Sequence, residues 1–252
     1  MPEPIKILAC ILTTYERNGW LTKEIGEWLA NLAILNEGYA SRVIFAHNFI
    51  PAASARNTFC RQMKDSDCDW LLMLDNDMAP PPNLFDAVKD APADAGIVAP
   101  AFYMWDNGKS KLTLCWGMDK EPERVNGCGK FAPGFHELSK CGTGAIFIRP
   151  SILEKIKYPY FSYLMNDDEG MQGTEDIQFC LKARMAGVKI YGNASIAVGH
   201  FHSVNLTTMA SLLYENHNSL DKPKQTSVDS AYQDSGRSPD RCADDRVPVE
   251  AT

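Results

Sequence analysis

Asp75 and Asp77 stand two residues apart at the end of the apolar run Trp70, Leu71, Leu72, Met73 and Leu74, inside the stretch DWLLMLDNDMAPPP. A short apolar run closed by turn residues reads as a strand buried on both faces, and Pro80, Pro81 and Pro82 cannot extend it. The two carboxylates therefore sit where a strand leaves its sheet, and at alternate strand positions they share a face. Two hard oxygen donors so placed suit Mg²⁺ or Mn²⁺ held jointly with substrate phosphates. Taken alone, the pair is equally well explained by an Asx-turn and a helix cap before Pro80.

Polar groups close other apolar runs as well: Thr13, Thr14 and Tyr15 after the first, His47 and Asn48 after the second, Asn76 between the two aspartates, and His200 and His202 late in the chain. Imidazole is an acceptable Mn²⁺ ligand, although a satisfied histidine at a strand end is the ordinary alternative. In GTEDIQF, Thr174 is fitted to cap a helix whose first turn carries Glu175 and Asp176. The helix dipole alone favours acids there, and either acid is also placed to act as a general base. Gly142, Thr143 and Gly144 form no dinucleotide fingerprint, nor is GCGK a P-loop. Such glycines suit a tight turn or close approach of the backbone to a ligand. Tyr103, Trp105, Trp116, Tyr158, Tyr160 and Tyr163 are candidates to stack on a ligand ring, with core packing the commoner fate of Tyr103 and Trp105.

The elements that must position these groups alternate. IKILACILTTY, SRVIFAHN, DWLLMLDND and AGIVAPAFYMW read as strands, separated by helical patterns in LTKEIGEWLANLAILNEG, SARNTFCRQMKDS and PNLFDAVKD. Strand and helix in alternation imply a mostly parallel sheet flanked by helices, with ligands bound outside the carboxyl ends of the strands. In the second half, KLTLCWGM and GAIFIRP are strand-like around a glycine-rich, mixed-charge loop region at 117–143. TEDIQFCLKARMAGVKIYG reads as a helix with Ile177, Cys180, Leu181 and Met185 on one face, and IAVGHFHS as a closing strand.

A net charge of -7 and a pI near 5.3 set the whole-molecule field against polyanions. The one candidate basic patch, Lys109, Lys111, Lys120, Arg124 and Lys130, is diluted by Asp106, Asp119, Glu121 and Glu123, so charge does not favour nucleic acid as a partner. The eight cysteines form no CxxC pair and several lie in apolar segments; they read as reduced thiols, which implies a cytoplasmic setting. The initial apolar run is too short to span a membrane and lacks a small-residue cleavage site.

Five motifs, in order, resemble those of glycosyltransferase family 2 and related GT-A enzymes: ILTTYER on the first strand, SARNTFCRQ at a helix start, LLMLDND as the DxD, CGTGAIFIRPSILEKI as the glycine-bearing strand, and GTEDIQFCLKARMAGVKIYGNASIAVGH as the Glu-Asp helix with its following histidine. The resemblance covers residues 5–202 and implies a Rossmann-like GT-A domain over 1–216, with a nucleotide-sugar half (1–100) and an acceptor half (101–216). It implies transfer of a sugar from a nucleotide-diphosphate donor to a hydroxyl, with inversion. Thr13, Thr14, Tyr15, Arg56, Asn57, Asn76, Gly142 and Thr143 would line the donor site, and Asp75 would face the ribose or a metal-bound water. Asp77 and His200 would hold Mn²⁺ or Mg²⁺, with Asp75 beside them. Asp176, ahead of Glu175, would be the base. Glu16 and the AHNF segment depart from the family pattern next to the donor base.

A phosphatase with a nucleophilic DxD expects that motif on its first strand and a Thr or Val where Ala79 stands. A catalytically inactive sugar-binding module would need no base, whereas Asp75, Asp77, Asp176 and His200 occur together. The acceptor on this reading is a saccharide, a protein, a small molecule or a hydroxymethylated DNA base.

From residue 217 onward the chain is polar, with Pro223, Pro239 and Pro248, and reads as a disordered tail. Removing residues 221–252 is expected to leave the melting temperature and donor binding unchanged; a large fall in melting temperature would show that the tail packs on the core.

Overall fold

The computed structural model describes residues 3–13, 21–35, 38–47, 51–106, 111–117, 131–166, 170–202, 206–207 and 209–210. The chain divides into two units, Met1–Asn205 and Leu206–Thr252, and the first holds every element described below. In chain order these are β1 (Ile5–Thr13), α1 (Lys23–Ala30), α2 (Leu32–Leu35), β2 (Tyr39–His47), α3 (Ala52–Lys64), β3 (Trp70–Asp75), β4 (Met78–Ala79) and β5 (Ala95–Ala101). There follow β6 (Tyr103–Asp106), β7 (Lys111–Leu114), β8 (Trp116–Gly117), β9 (Phe135–Leu138), β10 (Lys140–Cys141), β11 (Ala145–Ile148) and α4 (Ile152–Lys155). The last are β12 (Leu164–Asn166), β13 (Gly170–Gly173), α5 (Glu175–Met185), β14 (Lys189–Ala197) and β15 (Gly199–His200).

Seven strands form the main sheet in the order β2-β1-β3-β11-β5-β14-β9. β2, β1 and β3 are mutually parallel, as are β5 and β14, while β11 and β9 run antiparallel to their neighbours. The result is the expected α/β architecture, a mostly parallel sheet flanked by helices. Alternate residues of each strand feed opposite cores. Leu8, Cys10, Leu71, Met73 and Ile146 pack with Phe59, Met63 and Phe179 of α3 and α5. Ile7, Ala9, Ile11, Leu72, Leu74 and Phe147 pack on the other face with Ile25 and Trp28 of α1. Both faces are covered, which is why the strand sequences read as unbroken apolar runs.

Register then decides which ends meet. β1 pairs with β2 from Ile5↔Tyr39 to Thr13↔His47, and with β3 up to Leu12↔Asp75. Because β11 is reversed, its beginning lies beside the end of β3: Ala145 pairs with Leu74, and the Asp75 N–H donates to the Gly144 carbonyl at 2.9 Å. Thr13, His47, Asp75 and the Gly142–Gly144 segment thus share one edge of the sheet.

Several elements differ from the sequence pattern. The helical pattern over 174–192 is two elements, because the chain turns at Gly187 with φ +74 and the period changes to the strand β14. On α5 the buried face is Phe179, Cys180 and Ala183, whereas Leu181 is 45% and Met185 81% exposed. LTKEIGEWLANLAIL is interrupted at Asn31, and PNLFDAVKD forms only a 3-10 turn over Leu84–Val88. KLTLCWGM splits into β7 and β8, which pair with β6 and β10 and stay out of the main sheet. Among the described residues no helix is long and apolar enough to cross a membrane.

Candidate functional site

β3 ends at Asp75, and Asn76 and Asp77 form the turn into β4. The two carboxylates do not share a strand face as the spacing implied, because Asp77 lies beyond the strand and its side chain follows a different partner. β4 pairs antiparallel with β15, placing His200 opposite Met78, and the Phe201 N–H donates to the Asp77 carbonyl at 2.9 Å. This small ladder brings His200 Nε2 to 3.6 Å from Asp77 Oδ2. His200 Nδ1 lies 3.0 Å from the Tyr103 carbonyl. A carbonyl only accepts, so Nδ1 carries a proton, and Nε2 bonds to the Asp77 carboxylate when the ring takes up its second proton. Hydrogen bonding to Asp77 raises the His200 pKa above its ordinary value, helped by the Tyr103 carbonyl and opposed by burial. His202 is exposed, and its ring centroid lies 6.4 Å from that of His200.

Asp75 turns to Arg56. The guanidinium, 4% exposed, donates through Nη2 to both Asp75 oxygens at 2.9 and 3.0 Å and through Nη1 to Glu175 Oε1. Its Nε has no hydrogen-bond partner among the described residues. Burial pushes the Asp75 carboxyl up, Arg56 pulls it down, and Asp77 and Glu175 push it further up. Burial also raises the Tyr163 hydroxyl, and a hydrogen bond to Glu175 adds to the rise. Asp75 is thus tied to a cation while staying within electrostatic reach of Asp77 and of His200, whose pKa its charge also raises. Among the described residues no three acidic, histidine or cysteine side chains converge as a metal cage.

The Asp77 and His200 pair fits a shared metal nonetheless. It offers one carboxylate and one imidazole, and the imidazole donates its other N–H to a backbone carbonyl, the outer partner that metal-binding histidines commonly have. A cation held by these two donors would have positions left for further oxygen ligands.

Thr174 stands at the N-cap of α5, but its hydroxyl makes no cap to the helix backbone. It donates to Asp176 Oδ1, which also accepts the Ile177 N–H at 2.8 Å. Both bonds fall on one oxygen, so the carboxylate is oriented by its own first turn. The two neighbouring acids therefore differ: Glu175 is paired with Arg56, and among the described residues Asp176 accepts only from neutral donors.

The other expected donor residues divide. Asn57 closes a two-way bond with the backbone of Phe161, Nδ2 donating to the carbonyl at 2.7 Å and Oδ1 accepting the N–H at 3.0 Å. Thr13 is buried, with its hydroxyl donating to the Ala46 carbonyl at 2.9 Å. Thr143 and Asn76 are buried at the same edge. Gly142 is crowded by the protein itself: an added Cβ would lie 3.0 Å from the Phe102 ring and 3.3 Å from Cys115 Cβ. Thr14, Tyr15 and Asn48 lie outside the described residues, as does the loop at 118–130. The sequence reading missed the bond from Arg56 to Glu175 and the Tyr103 carbonyl behind His200. Nothing in local spacing signals either, since each joins elements far apart in the chain.

No family model matches the chain, and no curated protein does. Among solved structures, A197 from STIV matches with a TM-score of 0.57 at 19% identity, over 79% of this chain and 87% of that one. That likeness is one of fold. GalNAc-T7 with UDP, GalNAc and Mn²⁺ gives a TM-score of 0.45 at 12% identity, over 81% of this chain and 45% of that one. A mutant Drosophila β1,4-galactosyltransferase 7 in complex with manganese, UDP-Gal and xylobiose gives 0.44 at 14% identity, over 79% of this chain and 72% of that one.

Removing the guanidinium leaves two partly buried carboxylates without their common cation. Arg56→Leu is therefore expected to cost about 3–5 kcal/mol, as breaking a buried ion pair does. Urea unfolding at neutral pH measures it, and a loss below about 1 kcal/mol, the range of an exposed pair, would contradict the assignment.

Proposed function

We propose that this chain is a metal-dependent GT-A glycosyltransferase that moves a sugar from a nucleoside-diphosphate donor to an acceptor hydroxyl with inversion. The observation that carries the reading is the Asp77 and His200 pair at a sheet edge, with Nε2 3.6 Å from the carboxylate and the Tyr103 carbonyl fixing the ring. Mn²⁺ or Mg²⁺ held by Asp77 and His200 would offset the negative charge that builds on the departing diphosphate. The five ordered sequence motifs support the same reading.

The chain's own groups divide the remaining work. Arg56 holds Asp75 at the end of β3 and Glu175 at the start of α5, so the donor edge and the acceptor helix keep one spacing. Glu175, already paired with a cation, serves position. Asp176 serves as the base: the Thr174 hydroxyl and Ile177 N–H fix Oδ1, and Oδ2 takes the acceptor's proton. A base opposite the leaving group gives inversion. The acceptor is a saccharide, protein, small molecule or hydroxymethylated DNA base, the last disfavoured by the net charge of -7. The six free cysteines among the described residues support a cytoplasmic setting.

Screening nucleotide sugars for Mn²⁺-dependent hydrolysis, then acceptors by product mass, tests the reading. Asp77→Ala is expected to abolish turnover, and Asp176→Asn to lower transfer by about 10² to 10⁴ while donor affinity stays nearly native. Glu175→Gln should be milder. Full turnover in excess chelator would overturn the metal assignment, and a native rate in Asp176→Asn, or a product retaining the donor's anomeric configuration, the inverting mechanism.

A further inference from the structure

Two thiols are placed together just below the acidic turn of α5. Cys180 of α5 and Cys141 of β10 are 0% and 1% exposed, and their sulfurs lie 4.0 Å apart. The Cys141 N–H points to Cys180 Sγ at 3.5 Å, and the Cys180 thiol reaches the Cys141 carbonyl at 3.6 Å. The contact belongs to a wider one, since α5 packs along β10. A disulfide needs the sulfurs at about 2.05 Å, so the pair must close by roughly 2 Å. The fold allows this. Among the described residues β10 is a two-residue strand that pairs with β8 alone, outside the seven-stranded sheet, so it can shift without breaking the main ladder.

We infer that Cys141 and Cys180 are a redox modification site, a dithiol that a peroxide converts to a disulfide joining β10 to α5. The two sulfurs have distinct roles. Hydrogen bonding from Cys141, through its thiol and its backbone N–H, favours the Cys180 thiolate and lowers its pKa, whereas the same contact and burial raise that of Cys141. Elsewhere burial alone pushes thiols up, as at Cys60. The Cys141 N–H aimed at Cys180 Sγ marks Cys180 as the sulfur better able to carry negative charge, and so as the nucleophile. Its thiolate attacks one peroxide oxygen, the O–O bond breaks, and the expelled hydroxide takes a proton to become water. The sulfenic acid so formed is attacked by Cys141 sulfur as that thiol gives up its proton; the S–S bond forms, the S–O bond breaks, and a second water leaves. Two thiols are oxidised and one peroxide is reduced to two waters.

A small oxidant suits the place, since neither thiol is open to a bulky disulfide reagent. Cys115 and Gly142 lie against each other beside the pair, and the Gly142 N–H donates to the Cys115 carbonyl at 2.9 Å, so opening of the short β8 and β10 ladder is the route in. The chemistry is independent of the glycosyl-transfer reading. If that reading holds, the disulfide clamps the helix that begins with Glu175 and Asp176.

Hydrogen peroxide added to the folded full-length chain, followed by denaturation, alkylation and peptide mapping, tests the site without reference to any activity. The expected result is a Cys141–Cys180 linked peptide about 2 Da lighter than the two free peptides together, reversed by dithiothreitol. Cys180→Ser should abolish the link, and Cys60→Ser should leave it intact. Amide exchange over 175–185 should slow on oxidation of the native chain. Recovery of both thiols as alkylated cysteines at full peroxide exposure, their conversion to sulfinic acids without a link, or a link to other cysteines instead would each overturn the proposal.

Discussion

One buried guanidinium organises the edge of this sheet. Arg56 comes from α3, and its two terminal nitrogens tie the last residue of β3 to the first residue of α5. A charge that deep persists only when paired, and here two carboxylates share it. The arrangement sets two acidic groups against one cation in partly buried surroundings, and burial raises the Asp75 pKa despite the cation beside it. A single substitution at Arg56 therefore releases two elements at once, which is how a residue of the helix layer governs geometry at the strand ends.

The second tie is made by backbone. β4 and β15 are two residues each, yet their pairing, the Phe201 N–H on the Asp77 carbonyl and the Tyr103 carbonyl on His200 together aim one imidazole at one carboxylate. Asp75 and Asp77 thus perform different tasks although they are two residues apart. One belongs to the ion pair that joins α3, β3 and α5; the other belongs to the ladder that presents His200. The same division recurs at the start of α5, where Glu175 serves the ion pair and Asp176 is held by Thr174 and Ile177.

Much of this was legible in the sequence where the signal is local. The apolar runs of β1, β3 and β5 and the spacing of Ile25 and Trp28 follow from burial on two faces, and the strand-end position of Asp75 follows from the run before it. His200 could be preferred to His202 only through the ordered motifs, and the structure places His200 beside Asp77. What was not legible depends on pairing between distant segments. The reversed insertion of β11 between β3 and β5 leaves no mark in its own four apolar residues, since a central strand reads alike in either direction. Leu181 and Met185 look like core at helical spacing, but the buried stripe of α5 is set by the stacking of Phe179 on Phe161, centroids 4.2 Å apart. Asn57, which the resemblance places at the donor site, also closes a two-way bond with the backbone of Phe161, 104 residues away. Gly142 reads as close backbone approach or a tight turn, and the side chains that approach it are Phe102 and Cys115.

The central claim is that Asp77 and His200 together hold a divalent cation that a nucleoside diphosphate completes. Titration of Mn²⁺ into the full-length chain, followed by electron paramagnetic resonance with and without a panel of nucleoside diphosphates, reads this directly. The account predicts tighter Mn²⁺ binding when the right diphosphate is present, and a loss of at least about tenfold on replacing His200 with alanine in a chain that keeps its native circular dichroism. Equal Mn²⁺ affinity in the native chain and in one lacking both Asp77 and His200 side chains would contradict it.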